Sequence, residues 1–317
     1  MSNTAVIPEI KPDCKIKIAQ DQCVSPSSIV RLEGSFVVCD SFMHRILWID
    51  DTGKVIRSVG GRGSGADQMQ YPTAMCIDDE GMLWVTDRWN HRIKRIDSSG
   101  KTTACFGMYG ERPGQFSEPW GIGYCNGHII VSDRNNHRIQ RFSKDGIFED
   151  SFGCSGPDKG YFESAEFKKG FSYTNWYGCS NRFETVETFF YKEDYIIGTM
   201  EYPCGLTVAS SGDIFLVDTG NDRLRRFTAD GELLATVSPA DILDKTDFLL
   251  DAHVSVDGKI FVSFELRDIL IMLSGEYRAN ALFRVPDGKL SHCTLSGTQL
   301  YVLDSWNKTI YTFTIRD

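Results

Sequence analysis

The sequence lacks any hydrophobic run near the roughly 18 residues that a membrane-spanning helix needs, so we expect no membrane partner. Residues 1–15 lack both the basic and the apolar stretch of an export signal, which predicts a cytoplasmic protein. None of the ten cysteines are spaced as CxxC, which favours reduced thiols over a structural zinc site. Positive charge is scarce too: the net charge of −9 argues against a protein that grips nucleic acid mainly by electrostatics.

What the sequence has instead is a repeated heptad. Asp87-Arg-Trp-Asn-His-Arg-Ile and Asp133-Arg-Asn-Asn-His-Arg-Ile are nearly identical, and residues 40–46 form a close relative. Each heptad stands between short apolar runs that are separated by glycine-containing turns, which is a hairpin pattern. Four such strands in every repeat of about 40–50 residues predict one blade of a β-propeller, and therefore an all-β fold.

The aspartate that opens the heptad counts the blades. The third and fourth of these marker positions lie 85 residues apart, against 40–47 elsewhere. We therefore predict six antiparallel four-stranded blades with an insertion at 163–202, and a degenerate seventh blade there is the alternative. The expected organisation is a loose leader, 1–13, and one propeller, 14–317, whose ring is closed by residues 15–19 as a fourth strand. The marker positions are Asp40, Asp87, Asp133, Asp218, Phe264 (where the aspartate is lost) and Asp304.

The two heptads resemble the NHL repeats, which are named for Asn-His-Leu. The segment Gly110-Glu-Arg-Pro-Gly-Gln-Phe-Ser-Glu-Pro-Trp-Gly-Ile is similar to that family's connection between blades. The resemblance covers residues 15–162 and 201–247 well and residues 248–317 weakly, and it implies a six-bladed propeller. For function it implies several classes: the RNA- or protein-binding propellers of TRIM-type ubiquitin ligases, the zinc-dependent peptidyl-amidoglycolate lyases, and bacterial proteins of unassigned role.

Within the heptad, the residue types predict a structural role. The marker aspartate can accept hydrogen bonds from backbone N–H groups of its own turn. We interpret His44, His91 and His137, each with the arginine that follows, as groups that tie neighbouring blades together. Equivalent positions in other blades hold Asp222 and Lys308, so we expect no ring of metal-binding histidines.

The turn after each marker and the connection into the next blade should lie on one face, around the mouth of the channel. Exposed aromatic rings and arginines there are common anchors of binding sites. The insertion at 163–202, which includes Trp176, is rich in aromatic residues and starts on this face. We predict that it is a lid or a docking surface, with a purely structural cover as the alternative. The other predicted ligand-binding residues are Phe42, Arg88, Trp89, Trp120, Arg134, Cys204 and Trp306.

Blades five and six depart from the repeat on the same face. We align His253 and His292 with the glycine near the start of other blades, Asp251 with their first proline, and Glu265 with the residue after the marker. Such departures mark candidate functional sites, and these four side chains can serve as catalytic acids or bases. The two histidines can also bind a divalent metal, although zinc commonly takes three protein ligands. Plain structural divergence is the alternative.

Three functional hypotheses follow. In the first, the propeller is a binding module that presents the channel-mouth face to a protein, a peptide or a small molecule. In the second, it is a lyase or hydrolase that uses His253 and His292, with or without a divalent metal as its cofactor. In the third, it is an RNA-binding propeller that uses Arg88, Arg134 and stacking aromatic rings, which the acidic net charge disfavours.

Overall fold

The computed structural model of the protein describes residues 7–19, 21–153, 168–173, 186–190, 200, 202–243, 249–254, 258–264, 268–285 and 288–315. These residues form β-strands almost throughout, together with short 3₁₀ turns and a five-residue α-helix, α1 (Pro239–Leu243). Across these ranges, no helix is both long enough and apolar enough to cross a membrane.

Two short strands, β1 (Glu9–Ile10) and β2 (Cys14–Lys17), precede the first blade and pair with the last two blades. Blades one to three then follow in chain order, and each is a sheet of four consecutive antiparallel strands. In order, these strands are β3 (Pro26–Leu32), β4 (Ser35–Asp40), β5 (Arg45–Ile49), β6 (Val55–Gly60), β7 (Pro72–Ile77), β8 (Leu83–Asp87), β9 (Arg92–Ile96), β10 (Thr102–Phe106), β11 (Pro119–Cys125), β12 (His128–Asp133), β13 (Arg138–Ser143) and β14 (Phe148–Phe152).

After blade three, β15 (Lys168–Tyr173) and β16 (Val186–Phe190) pair as an antiparallel hairpin within the predicted insertion. Blades four to six repeat the four-stranded pattern, and blade six takes its fourth strand from the start of the chain. Their remaining strands are β17 (Pro203–Val208), β18 (Ile214–Asp218), β19 (Arg223–Phe227), β20 (Leu233–Val237), β21 (Leu249–Val254), β22 (Ile260–Phe264), β23 (Ile269–Leu273), β24 (Ala279–Arg284), β25 (Leu290–Ser296), β26 (Gln299–Asp304) and β27 (Thr309–Thr314).

The start of the chain joins the ring at two places. β2 pairs antiparallel with β27, with Cys14 opposite Thr312, and completes blade six. β1 pairs in parallel with β24 and adds a fifth strand to blade five. The segment that we expected to be a loose leader therefore contains a paired strand, because Ile10 packs against the apolar cluster between blades five and six. Glu9 supports this contact through an ion pair with Arg284 at 3.1 Å.

The inner strand of every blade contacts the inner strand of the next blade, all the way round the ring. Between blades three and four the two inner strands pack tightly, since a Cβ on Gly121 would lie 2.5 Å from the carbonyl oxygen of Cys204. A further blade has no room at this junction. The ring therefore has six blades, as predicted, and the alternative of a seventh blade at 163–202 is wrong.

Six apolar clusters fill the junctions between neighbouring blades. The cluster between blades two and three, for example, combines Trp84 and Ile93 of blade two with Ile122 and Val131 of blade three. Alternate residues of each strand point to opposite faces of its sheet, so every blade contributes side chains to two clusters. The core is thus a ring of apolar layers around the channel.

The marker aspartates organise the connections that enter each blade. Asp133 is fully buried, and its carboxylate accepts bonds from Ser117 N at 2.7 Å, from Arg138 Nε at 2.8 Å and from Gln140 Nε2 at 3.0 Å. These contacts join the incoming connection to the second and third strands. Burial raises the pKa of the Asp133 carboxyl, and the bonds from Asn136, Ser117 and Arg138 oppose that rise.

The heptad histidines tie one blade to the next, as we predicted. The Nδ1 atom of His137 accepts a hydrogen bond at 3.2 Å from the backbone N–H of Tyr202, which enters blade four. Each histidine has φ between 53° and 59°, a left-handed conformation that turns the chain into the third strand. The equivalent bonds, both 3.1 Å, run from Tyr71 N to His44 and from Glu118 N to His91.

Candidate functional site

One face of the ring carries the turns that follow the second strands together with the connections that enter the first strands. Trp89 N donates to Gln70 O at 3.0 Å in blade two, and Asn135 N donates to Ser117 O at 3.0 Å in blade three. These backbone bonds hold each turn against the connection into its own blade. We call this surface of turns and connections the rim face.

Exposed apolar side chains are concentrated on the rim face. Eight of the eleven large apolar residues that are exposed among the described residues lie there, on the turns and connections. The other three, Ile56, Ile147 and Leu234, lie on fourth strands or on the turn between β13 and β14. Clustered exposed apolar residues mark interaction sites more often than scattered ones do. The eight are Val24, Phe42, Met43, Trp89, Met108, Tyr109, Tyr202 and Trp306.

The predicted aromatic residues differ in how freely they are presented. The exposed fraction is 39% for Phe42, 44% for Trp89 and 56% for Trp306. Trp89 stacks on Tyr71 with ring centroids 3.9 Å apart, so its ring is held in place while one part remains exposed. The predicted site residues Trp176 and Glu265 lie outside the described residues.

The predicted residues Arg88, Trp120 and Arg134 come together at the junction of blades two, three and four. The guanidinium carbons of Arg88 and Arg134 lie 4.1 Å and 5.0 Å from the centroid of the Trp120 ring. Arg88 Nε donates to Glu118 Oε2 at 2.9 Å, and Arg88 Nη2 donates to the same oxygen. Arginine stacked on an aromatic face keeps its N–H edge available for in-plane hydrogen bonds.

Cys204, which we predicted as a ligand-binding residue, lies beneath this cluster and is buried, so its thiol does not face the solvent. Its Sγ atom donates to the carbonyl oxygen of Tyr202 at 3.3 Å and contacts the Arg134 side chain. The carbonyl oxygen of Cys204 accepts a bond at 2.9 Å from the hydroxyl of Ser132 in blade three. Cys204 therefore helps to join two blades beneath Arg134.

The alignment of blades five and six by sequence is off by two residues in blade five. Leu249, not Asp251, stands opposite Phe264 and takes the place of the first proline. Asp251 is then level with His292 of blade six, and His253 lies two residues further along its strand. The error arose because blade five has lost both the proline and the marker aspartate that fix the register elsewhere.

The structure nevertheless brings the predicted ionisable residues together. His292 Nε2 is 3.7 Å from Asp251 Oδ2, and the rings of His253 and His292 have centroids 6.2 Å apart. His292 Nδ1 accepts the backbone N–H of Ile29 at 3.4 Å, so a neutral imidazole carries its proton on Nε2 and directs it towards Asp251. The side chains of Asp251 and His292 are only 15% and 17% exposed.

Burial shifts the pKa of all three groups towards their neutral forms. It raises the pKa of Asp251 to about 7 and lowers the pKa of His253 to about 4. Burial and the neighbouring His253 lower the pKa of His292 to about 3. Near neutral pH, both imidazoles are therefore uncharged, and the Asp251 carboxyl is poised to gain or release a proton.

The described residues offer little support for a metal at this site. They contain no group of three His, Cys, Asp or Glu side chains that could hold an ion together. His253, His292 and Asp251 line a cleft that is too narrow for a water molecule. These three side chains are therefore not arranged as the three ligands that zinc commonly takes from a protein.

Two contributors to these sites were missed at the sequence level. Glu118 bridges towards both rim arginines, yet in sequence it is merely the residue before a proline. Ser263 lines the same cleft as Asp251, and its buried hydroxyl has no hydrogen-bond partner. The equivalent hydroxyls of Thr86 and Ser132 donate to backbone carbonyls of the next blade, at 3.0 Å and 2.9 Å. Comparing blades with each other at this position could have singled out Ser263.

Solved structures of several lyases have a fold similar to that of this chain. The chain is similar to virginiamycin B lyase from Staphylococcus aureus (14% identity, TM-score 0.62, 96% of this chain and 99% of that chain). A streptogramin B lyase shares 13% identity (TM-score 0.60, 96% and 87% covered). A catalytically inactive variant of the S. aureus lyase with quinupristin shares 16% identity (TM-score 0.59, 96% and 99% covered). At these identities the likeness shows the fold alone.

No curated protein sequence matches the chain significantly. The NHL repeat family does match, at residues 69–96 and 116–142. These two stretches contain the heptads of blades two and three and the connections that precede them. The chain is therefore a six-bladed β-propeller that carries NHL repeats.

Proposed function

We propose that the protein is a binding module that holds a short apolar segment of a partner protein on its rim face. The observation that carries the proposal is the concentration of eight of the eleven exposed large apolar side chains on that face. Tryptophan, tyrosine and phenylalanine provide much of the binding energy in protein interfaces. Among the predicted partners, which were a protein, a peptide or a small molecule, we therefore choose a protein segment.

The rim face is also well prepared for binding without rearrangement. Its turns are fixed by backbone bonds such as Trp89 N to Gln70 O, and Trp89 is packed against Tyr71. Burial of exposed apolar area contributes about 25 cal/mol per Å² before the costs of association are subtracted. A rigid site loses less conformational entropy when it binds, so more of this contribution appears as affinity.

The RNA-binding hypothesis gains nothing from this geometry. Arg88 donates twice to Glu118, and Arg134 lies over the rings of Trp120 and Tyr202. Single-stranded RNA needs a continuous basic groove together with stacking platforms. The arginine cluster is local and partly neutralised, so the rim face favours an apolar segment.

Selection from a random peptide library tests the proposal. Peptides selected on the wild-type protein should bind a variant with Phe42→Ser, Trp89→Ser and Trp306→Ser at least about tenfold more weakly, because three anchors are lost. The matched control is Ile56→Ser, Ile147→Ser and Leu234→Ser, which removes equally exposed apolar groups from other surfaces. Equal affinity for all three proteins, measured by titration calorimetry, would show that the rim face is not the binding surface.

A second candidate function, acid–base catalysis, rests on the cluster of Asp251, His253 and His292. A carboxyl whose pKa lies near 7 can accept a proton from a substrate, and His292 Nε2–H can stabilise the oxygen that becomes negative. The cleft is too narrow for water as it stands, so catalysis would require the substrate to bind above it or to widen it. This is why we place binding first.

Quinupristin, which is bound by a lyase of the same fold, is a direct probe of the second candidate. Loss of intact quinupristin, followed by liquid chromatography, should fall at least about a hundredfold in Asp251→Asn if the carboxyl is the base. Unchanged loss in that variant would remove Asp251 from the chemistry. No loss with the wild-type protein would exclude quinupristin as a substrate.

A further inference from the structure

Two guanidinium groups share one aromatic ring at the junction of blades two, three and four. Arg88 and Arg134 occupy equivalent turns, and both lie over the Trp120 ring, at 4.1 Å and 5.0 Å. Arg134 is also 5.1 Å from the ring of Tyr202, so two aromatic rings hold its guanidinium in place. The corresponding turn positions of blades one, four and six hold uncharged residues, namely Ser41, Thr219 and Ser305.

The charges in this cluster do not balance. Glu118 is the carboxylate that faces both arginines, and one of its oxygens accepts two bonds from Arg88. Arg134 Nη1 is 3.8 Å from that same oxygen, which is too long for a hydrogen bond. The carboxylate of Asp133 is occupied by Ser117 N and by polar side chains of its own blade. Arg88 and Arg134 therefore share one carboxylate, and these three side chains together keep a net charge of one positive unit.

The hydrogen-bonding groups of Arg134 are also under-used. Nη1 donates to the neighbouring Asn135 Oδ1 at 3.2 Å, and the side chain also contacts the Cys204 thiol, but the buried Nε has no acceptor. A buried donor without an acceptor is unfavourable, and it adds to the positive potential at the site. The Arg134 side chain is 22% exposed, so an outside group can reach its outer N–H edge.

We infer that Arg134, held by Trp120 and Tyr202, is the binding site for a single carboxylate group. The inference rests on the proposed function, because the site lies on the rim face and would anchor one end or one acidic side chain of the same partner segment. Carboxylates match the planar N–H edge of a guanidinium, and one negative charge balances the net positive charge of Arg88, Arg134 and Glu118. A phosphate with two charges would leave the cluster negative. The aromatic rings beside Arg134 favour an apolar group next to the carboxylate.

Three small probes separate these chemistries without knowledge of the natural partner. N-acetylphenylalanine offers a carboxylate beside an aromatic ring, its amide removes only the charge, and phenyl phosphate replaces the carboxylate. Titration calorimetry on the whole protein should show the acid binding at least about tenfold more tightly than the amide or the phosphate, and more weakly as salt rises. Tighter binding of phenyl phosphate than of the acid would overturn the choice of a carboxylate.

Variants of the protein then locate the site. Arg134→Gln should weaken binding of the acid about tenfold, whereas Arg112→Gln, which removes the same charge from an exposed rim-face position, should leave it unchanged. Glu118→Gln removes the competing carboxylate and should tighten binding several-fold, an effect that a misfolded protein cannot imitate.

The outcomes distinguish this inference from the proposed function. If the amide binds as tightly as the acid and Arg134→Gln changes neither, the carboxylate site is wrong, while selected apolar peptides can still bind the rim face. If the acid binds at Arg134 but the rim variant binds selected peptides normally, the carboxylate site stands and the apolar rim proposal fails. Peptides with a free or an amidated C-terminus, and with Glu or Gln inside, identify the source of the carboxylate.

Discussion

Two junctions of the ring meet in opposite ways. Between blades three and four, Gly121 and Gly123 leave no space at all, and a Cβ at either position would lie within 2.5 Å of the next blade. Between blades five and six, the equivalent level holds Asp251 and His292, whose side chains meet at 3.7 Å. The first junction is closed by backbone contact and the second by groups that can change charge.

The hydroxyl groups of the second strands repeat this contrast. Ser132 accepts a bond from Gly121 N at 2.7 Å and donates to the next blade, whereas the hydroxyl of Ser263 has no partner. Blade five has also lost its marker aspartate, since Phe264 takes that position. The regular blades thus supply the rigidity of the ring, which frees blades five and six to hold ionisable groups that a tightly packed junction could not accommodate.

The largest effect should come from removing the marker of a regular blade. Asp133→Ala would leave Arg138 buried without its carboxylate, and we expect a loss of about 3–5 kcal/mol in the free energy of unfolding. Urea unfolding measures the loss, with Asp145→Ala, an exposed aspartate, as the control. A cost no larger than that of the control would show that regular blades do not depend on their markers.

An intermediate effect is expected from Gly121→Ala. The added methyl group would overlap the carbonyl oxygen of Cys204 and the Cβ of Leu206, at 2.5 Å and 2.8 Å, so blades three and four must separate. The cost should be about 1–3 kcal/mol in the same unfolding experiment. Gly275→Ala, whose new Cβ would meet nothing within 4 Å, is the matched control. If Gly121→Ala and Gly275→Ala are equally stable, the junction between blades three and four can accommodate an extra methyl group.

The smallest effect should be a stabilisation, and it should depend on pH. The pKa of Asp251 is about 7 in the folded protein and about 3.9 in the unfolded chain. The contribution of protonated Asp251 to the stability of the fold is therefore fully present below the unfolded pKa and is lost as the pH rises through 7. At pH 8, Asp251→Asn should therefore unfold at a higher urea concentration than the wild type, with a free energy of unfolding larger by on the order of 1–2 kcal/mol. The gain is limited because burying the amide also costs free energy.

The difference should shrink steadily below pH 7 and be smallest near pH 3, which is about one unit below the unfolded pKa, so that wild-type Asp251 is mostly protonated in both states. Asp230→Asn, a side chain that is 90% exposed, makes the same change in charge and should show no such trend. If Asp251→Asn is instead less stable than the wild type at pH 8, the carboxylate is paired with a charged His292. The junction between blades five and six would then differ from the junction between blades three and four by holding an ion pair.

The features that the sequence predicted well are local ones. A marker aspartate reports a four-stranded blade whatever surrounds it, and all but one of the marker intervals are 40–47 residues, so six blades and their strand order could be predicted. The role of His137 followed in the same way, because its partner Tyr202 starts the next blade. The predicted register of blade five was wrong because Leu249 and Phe264 replace the proline and the aspartate that mark the register in other blades.

The candidate sites depended on contacts between distant connections, which periodicity does not report. Glu118 and Arg88 are thirty positions apart, and only the ring geometry shows that they pair. The pairing changes the prediction for the two arginines: Arg88 donates twice to Glu118 within the protein, so we assign the proposed carboxylate site to Arg134 alone. Likewise, the sequence flagged Asp251 and His292 as departures but could not set them at the same level.

The pairing of β2 with β27 also bears on synthesis of the chain. Cys14 and Thr312 stand opposite each other although nearly the whole chain separates them. While the chain leaves the ribosome, β2 must wait without a partner until the last strand appears, and β1 waits for blade five. Closing so long a loop comes late in folding, and an unpaired strand is prone to pair with the wrong chain. The unfinished propeller is therefore most vulnerable to aggregation while five blades are built and the sixth still lacks its edge.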